Sequence, residues 1–369
     1  MRIGILTLPL HTNYGGILQA YALQTVLERM GHNVKVIDYD YLFQTPSFWT
    51  KFKRFVKKTL HMQTLSVRFE EELNKPMKTW RHFTQPFINM HIHRLPIKDL
   101  NADLFCNMFD CIVVGSDQIW RPTHIKGVLG TSIPNAFLDF AKEWPIKRIA
   151  YSASFGTDEW EFSEEETTII KKLISKFDAV SVREDSGVEL CKRHLGIDAF
   201  HTLDPTLLLG KDDYLSICKK RIKFKDKGDL LVYILDFTKE KELMIKTVEK
   251  KYGLKAFYTN IDENNKKDED SQPPVENWLI GFQNTKYVIT DSFHACIFSI
   301  IFEKPFIVIG NQERGMARIS SLLAMFNMED RLISDVNDFQ SVSFEKISTH
   351  KRIEELKKDS LAFLTNALN

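Results

Sequence analysis

Two runs at the amino end decide the fold: Arg2-Ile3-Gly4-Ile5-Leu6-Thr7-Leu8, then His11-Thr12-Asn13-Tyr14-Gly15-Gly16-Ile17-Leu18-Gln19-Ala20-Tyr21-Ala22-Leu23-Gln24. The first is rich in Ile and Leu and reads as a buried strand. After the turn, Ile17, Leu18, Tyr21, Ala22, Val26, Leu27 and Met30 recur at helical spacing. Gly31 stands where a helix end calls for a left-handed residue, and residues 34–39 supply a second strand. Strand, glycine loop, helix and strand open a doubly wound parallel sheet.

The same alternation recurs downstream. Strands are expected at 111–115, 149–153 and 179–183, with helices at 163–176 and 184–195. Residues 47–94 interrupt the rhythm as a helical insertion, basic and aromatic. A second set follows, with strands at 230–235, 255–258, 287–290 and 305–309. Its helices are expected at 239–252, 275–283, 293–302 and 319–326. Asp204-Pro205 reads as a hinge, because proline stops regular structure there. The charged run 262–274, ending in two prolines, reads as a mobile loop. The expected architecture is α/β, with two Rossmann-like lobes facing a cleft. The lobes are placed at 1–204 and 205–369, the last helix (351–368) returning to the first lobe. Ligands of such sheets bind where loops leave the carboxyl ends of the strands.

Composition narrows the function. The 369 residues suit two domains, and 43% hydrophobic with 27% charged residues is globular. Fifty basic against 49 acidic side chains leave a net charge of +1, which gives no basic field for nucleic acid. Five cysteines, Cys106, Cys111, Cys191, Cys218 and Cys296, contain no CxxC pair, so neither a disulfide framework nor structural zinc is expected. No uninterrupted apolar run spans a bilayer, and the amino end does not have a signal peptide's pattern. A cytoplasmic protein is the expectation.

Four segments at strand ends carry more polar or small residues than a core requires. Asn13-Tyr14-Gly15-Gly16 lets backbone N–H groups approach an anion at a helix start, or simply makes a tight turn. It is not a GxGxxG dinucleotide motif. Ser116-Asp117-Gln118-Ile119-Trp120 follows Gly115, and Asp117 is placed to accept a proton or hold a sugar hydroxyl beyond any capping role. Arg183 is placed to clamp a carboxylate or phosphate, or to pair with Glu184 or Asp185. In Asp291-Ser292-Phe293-His294-Ala295 a histidine opens a helix, with Asp291 as the carboxylate expected to counter the helix dipole. That setting suits proton transfer. A fifth stretch, 48–60, alternates Phe48, Trp49, Phe52 and Phe55 with Lys51, Lys53, Arg54, Lys57 and Lys58. It reads either as a packed helix with a solvated face or as peripheral contact with an anionic membrane.

Taken in order, Gly15 to Gln24, Gly115 to Trp120, Ser181 to Glu184, Asp291 to Ala295 and Lys304-Pro305 resemble the polysaccharide pyruvyl transferase family. The resemblance implies a GT-B-like enzyme that moves the enolpyruvyl unit of phosphoenolpyruvate onto two hydroxyls of a surface or exopolysaccharide glycan, free or lipid-linked, forming a pyruvate ketal. It further implies His294 as the essential histidine and Arg183 as a donor-binding arginine. Asp117 and Asn13 would position acceptor hydroxyls, and no metal or organic cofactor is required. One position departs from the pattern: Ser292 stands where the family carries an arginine. Arg314 or Arg318 is placed to replace that charge. A nucleotide-sugar glycosyltransferase on the same fold, or a non-catalytic glycan-binding member, are the alternatives. Because Arg183 and His294 belong to different lobes, donor binding is expected to draw the lobes together.

Overall fold

The computed structural model describes residues 1–39, 84–97, 107–218, 228–259, 273–310, 315–333 and 345–369. The first lobe runs β1 (Arg2–Leu6), α1 (Tyr14–Arg29), β2 (Asn33–Tyr39), α2 (Gln85–His91), β3 (Arg94–Ile97) and β4 (Cys111–Val114). It continues with β5 (Lys147–Ala153), α3 (Glu164–Ile174), β6 (Ala179–Val182), α4 (Asp185–Leu190) and β7 (Phe200–His201). These seven strands form one sheet in the order β3-β2-β1-β4-β5-β6-β7, every pairing parallel. Ile5 lies opposite both Val36 and Val113, so the central strands are apolar on both faces, as parallel strands covered by helices must be.

The second lobe runs α5 (Lys211–Ile217), β8 (Leu230–Tyr233), α6 (Lys239–Tyr252), β9 (Ala256–Tyr258), α7 (Val275–Asn284), β10 (Tyr287–Thr290) and α8 (Phe293–Ile301). Then come β11 (Phe306–Ile309), α9 (Met316–Met325), β12 (Leu332–Ile333) and α10 (His350–Leu368). Its sheet has the order β12-β11-β10-β8-β9, again parallel throughout. The two-sheet α/β expectation is met. Edge strands β3, β7 and β12 and helix α5 had no counterpart in the sequence reading. Of the insertion at 47–94, only residues from 84 onward are described. The basic stretch 48–60 and most of the charged run 262–274 lie outside the described residues.

The seam between the lobes is built by α1. A surface helix keeps an apolar stripe, whereas a helix that is apolar all round is buried. Along α1, Ile17, Leu18, Ala20, Ala22, Leu23, Val26 and Leu27 are all buried, joining one core with Val113 of β4, Trp278 of α7 and Ile297 of α8. Tyr14, read as part of a ligand loop, is instead fully buried in this seam. Its ring lies 5.4 Å from that of Trp278 and 6.4 Å from that of Tyr233, and its hydroxyl donates to the Pro273 carbonyl. Gly315, at φ +85°, passes so close to Gly156 that a Cβ would overlap its carbonyl oxygen. Helix α10 returns to the first sheet: Ser360 Oγ accepts from Leu203 N at 3.0 Å, and Phe363 packs on Tyr151. The lobes therefore share a continuous core.

Among the described residues no helix is long and apolar enough to cross a membrane. Trp278 is fully buried at the centre of the shared core. Trp278→Ala is expected to lower unfolding stability by about 3–5 kcal/mol, measured by urea titration. A loss below about 1 kcal/mol would mean that the seam is not part of the cooperative core.

Candidate active site at the seam of the two sheets

Both sheets reverse strand order at one place, and ligands of such sheets bind at that crevice. In the first sheet the reversal lies between β1 and β4. There Asn13, from the loop after β1, donates from Nδ2 to Asp117 Oδ2 across 3.4 Å, Asp117 standing just after β4. Asp117 has φ +62°, a region aspartate tolerates better than most residues, and its Oδ1 accepts from Gln118 N. In the second sheet the reversal lies between β8 and β10. Asp291, just after β10, accepts from Leu235 N at 2.7 Å and Asp236 N at 3.2 Å beyond β8, and from Lys241 Nζ at 2.7 Å. Asp291 thus holds the second crevice together. The carboxylate that faces His294 is a different one.

That carboxylate is Asp204. His294 is the second residue of α8, 6% exposed, and its Nε2 stands 3.6 Å from Asp204 Oδ2 with no hydrogen-bond partner of its own. On its other side lies α1, and a Cβ on Gly15 would overlap the imidazole at Nδ1. Gly15 is needed there because the ring occupies the space of its side chain. Gly16 plays a milder part: its Cβ would come 3.1 Å from Asn13 Nδ2 and 3.5 Å from Asp117 Oδ2.

Arg183 follows β6 and is 3% exposed. Its Nη1 donates to Asp204 Oδ2 at 2.8 Å, while Nη2 and Nε make only long ion pairs to Asp117 (3.5 Å) and Glu184 (3.6 Å). Neither Nη2 nor Nε has a hydrogen-bond partner, so the N–H groups on two nitrogens of a buried guanidinium are unused. The pairing with Glu184 read from sequence is present, and Asp204 is the closer partner. Burial opposes the charge on Arg183, but Glu184, Asp204 and Asp117 more than offset it. Burial pushes the carboxyl of Glu184 up, against Arg183, the Ser154 hydroxyl and Arg318. Asp117 is held below the usual carboxylate range: burial opposes ionisation, and Arg183, His294 and Arg318 outweigh it.

Arg318 comes from α9 and is 8% exposed. Its guanidinium centre lies 5.5 Å from the centroid of the Phe293 ring, and that of Arg183 lies 4.4 Å from the same ring. Burial and repulsion from Arg183 push Arg318 down to about 10, with Asp117 and Glu184 opposing. Ser292 caps α8 without a side-chain hydrogen bond, its N–H donating to Thr290 Oγ1 at 3.0 Å. Arg314 lies outside the described residues. Ser116 is fully buried beneath the site: its Oγ donates to Ser152 O at 2.6 Å and its N–H to Gln19 Oε1 at 2.9 Å. Asn13, Gly15, Gly16, Asp117, Arg183, Ser292, His294 and Arg318 are thus brought to one place, and Tyr14 and Ser116 are not.

Asp204 and Glu184 join the site without a strong signal in the sequence, where Asp204 stands before Pro205 and reads as a hinge. A buried carboxylate at that point is signalled only by Thr206, whose N–H (3.0 Å) and hydroxyl (2.6 Å) both donate to Asp204 Oδ1. Burial works against ionising Asp204, but His294, Arg183 and Thr206 hold it well below the ordinary carboxylate range. Among the described residues no cluster of His, Cys, Asp or Glu is arranged to hold a metal ion.

Two expectations follow. Gly15→Ala is expected to cost about 1–3 kcal/mol by forcing the His294 ring out of place. Gly127→Ala, where a Cβ meets nothing within 4 Å, is expected to be neutral. Equal melting temperatures for the two variants would contradict the close approach. The second expectation concerns acid. Asp204 is more acidic folded than unfolded, so its stabilisation is complete above about pH 4 and is lost as pH falls below that. Asp204→Asn is expected to flatten the dependence of unfolding free energy on pH between about 4 and 2. An unchanged slope would remove Asp204 from the acid response.

The comparisons with known proteins bear on the fold and the family. A UDP-GlcNAc 2-epimerase from Neisseria meningitidis, solved bound to UDP-GlcNAc, superposes with TM-score 0.53 at 12% identity, covering 100% of this chain and 99% of that one. The UDP-GlcNAc 2-epimerase from Methanocaldococcus jannaschii gives 0.53 at 12% identity, with 99% and 100% covered. At that identity the likeness shows the fold, a GT-B-like pair of lobes, and no more. No curated protein sequence matches significantly. The family model for polysaccharide pyruvyl transferase matches residues 13–313, a span that holds both crevices, Arg183 and His294. The chain belongs to the polysaccharide pyruvyl transferase family and is a transferase of that kind.

Proposed function

We propose that this protein transfers the enolpyruvyl unit of phosphoenolpyruvate to two hydroxyls of a sugar in a surface or exopolysaccharide glycan, forming a cyclic pyruvate ketal and releasing phosphate. One observation carries the choice of donor: two buried guanidiniums, Arg183 and Arg318, lie against the ring of Phe293, the residue before His294. Phosphoenolpyruvate bears a carboxylate and a phosphate ester on the same carbon, and paired guanidiniums match two such adjacent oxyanionic groups. In this reading Arg183 Nε and Nη2 take one oxyanion, Arg318 takes the other, and the first N–H groups of α8 add to the field. Arg318 then supplies the charge that the family pattern places at Ser292.

The chemistry needs a proton at the methylene carbon, because protonation there leaves the neighbouring carbon cationic and open to a hydroxyl. His294 supplies that proton and takes one back from the attacking hydroxyl. The second hydroxyl then attacks the same carbon as the phosphate leaves, and its proton departs with the phosphate. Asp117, ionised, and Asn13, its neighbour, hold the acceptor hydroxyls. The acceptor is a free or lipid-linked glycan. Work in the cytoplasm, with contact to the inner membrane face through 48–60, completes the proposal.

The test is a melting-temperature titration. Phosphoenolpyruvate at about a hundred times its Kd is expected to stabilise the protein by about 2.7 kcal/mol. Arg318→Ala is expected to abolish that gain relative to its own ligand-free melting temperature. A flat response to phosphoenolpyruvate, with stabilisation by a nucleoside diphosphate or diphosphosugar, would replace this reading by a nucleotide-sugar transferase on the same fold.

A further inference from the structure

Asp204 divides its two carboxylate oxygens between two tasks. Oδ1 is used by the local chain, accepting both the N–H and the hydroxyl of Thr206 at the start of the 3-10 turn Pro205–Leu208. The flanking backbone is fixed as well: Leu203 N donates to Ser360 Oγ and Tyr151 OH to Leu203 O, each at 3.0 Å. Oδ2 is shared between Arg183 Nη1 of the same lobe at 2.8 Å and His294 Nε2 of the other lobe at 3.6 Å. His294 Nε2 is buried and has no other hydrogen-bond partner. The Nδ1 side of the ring packs against α1, where Nδ1, Cγ and Cβ of His294 occupy the place a Gly15 side chain would take.

We infer that Asp204 is a positioning residue: it holds His294 as the tautomer with its proton on Nε2, which makes Nδ1, on the Gly15 side, the nitrogen that gives and takes the proton. A carboxylate fixed beside one ring nitrogen selects the tautomer that donates to it, and hydrogen bonds of this kind shorten when the reacting complex forms. The charged groups around the ring agree with that direction. Asp204 faces Nε2 and is itself held by Arg183 from the end of β6, which pairs at 3.5 Å with Asp117 from the end of β4. The proton balance closes on a single atom. Nδ1–H delivers its proton to the methylene carbon of the donor, which leaves the neutral ring with Nε2–H on Asp204. Nδ1 then receives the proton of the attacking hydroxyl. Asp204 never leaves its ionised state, and Arg183, sharing Oδ2, registers the donor against the same carboxylate that orients the histidine.

This inference rests on His294 being the proton-transfer group, and its test does not depend on turnover. The full chain carrying 15N-labelled histidine is examined by two-bond 1H–15N correlation at about pH 9, where imidazoles are neutral. His294 is assigned by difference from His294→Gln. The expected wild-type spectrum has a pyrrole-like Nε2 and a pyridine-like Nδ1, and Asp204→Ala is expected to lose this single-tautomer pattern. A pyrrole-like Nδ1 in the wild type overturns the inference, and so does an unchanged pattern in a folded Asp204→Ala protein. Asp204→Asn, which keeps the size of the side chain, is measured beside Asp204→Ala and is expected to lose the single-tautomer pattern as well. A merely structural Asp204 would leave the tautomer unmoved. An Nε2–H histidine in a protein that ignores phosphoenolpyruvate would preserve this assignment and refute the donor.

Discussion

A guanidinium buried to 3% exposure must be surrounded by negative charge, and Arg183 is enclosed by Asp204, Asp117 and Glu184. Much of the site's arrangement follows from satisfying that one ion. Asp204 has to stand after β7, Asp117 after β4 and Glu184 after β6, so three strand ends of the first sheet are tied to a single point. The arrangement is not fully saturated. Arg183 keeps two nitrogens, Nε and Nη2, without hydrogen bonds, and Glu184 Oε2 has no partner either. Buried polar groups left unsatisfied are costly, and a ligand that completes them recovers part of that cost.

The second lobe reaches this point through α8 and α9. Helix α8 begins at the reversal of its own sheet, and Asp291 with Lys241 secures that reversal, which leaves His294 to face the first lobe. Two backbones then approach closely across the seam, α1 at Gly15 and the start of α9 at Gly315, each where a side chain would overlap the other lobe. Tyr14, Trp278 and Tyr233 pack together beneath them, so the two lobes share one core at the seam.

The alternation of the sheets was legible from periodicity because parallel strands covered on both sides are nearly continuous apolar runs, as in Ile3 to Leu6 and Ile112 to Val114. Strands of two residues, such as β7, carry too few positions to show a period. Four strand-end segments were legible as candidates for a simple reason: cores do not need Asn13, Asp117, Arg183 or His294. Their convergence depends on strand order, which no local pattern encodes. Tyr14 was misplaced because a tyrosine beside two glycines looks like a loop residue, whereas the all-round burial of α1 draws it into the core. Asp291 is near His294 in sequence, and the fold pairs it with Lys241, while Asp204, remote in sequence, stands beside Nε2. Asp204 was hidden behind the proline that follows it.

The central claim is that Arg183, Arg318 and His294 form one donor site, and the most direct measurement is a crystal structure of the protein soaked with phosphoenolpyruvate. The account predicts the carboxylate and phosphate shared between the guanidiniums of Arg183 and Arg318, with the methylene carbon within reach of His294 Nδ1 beside Gly15. A donor bound away from either guanidinium, or with its methylene turned from His294, would contradict it.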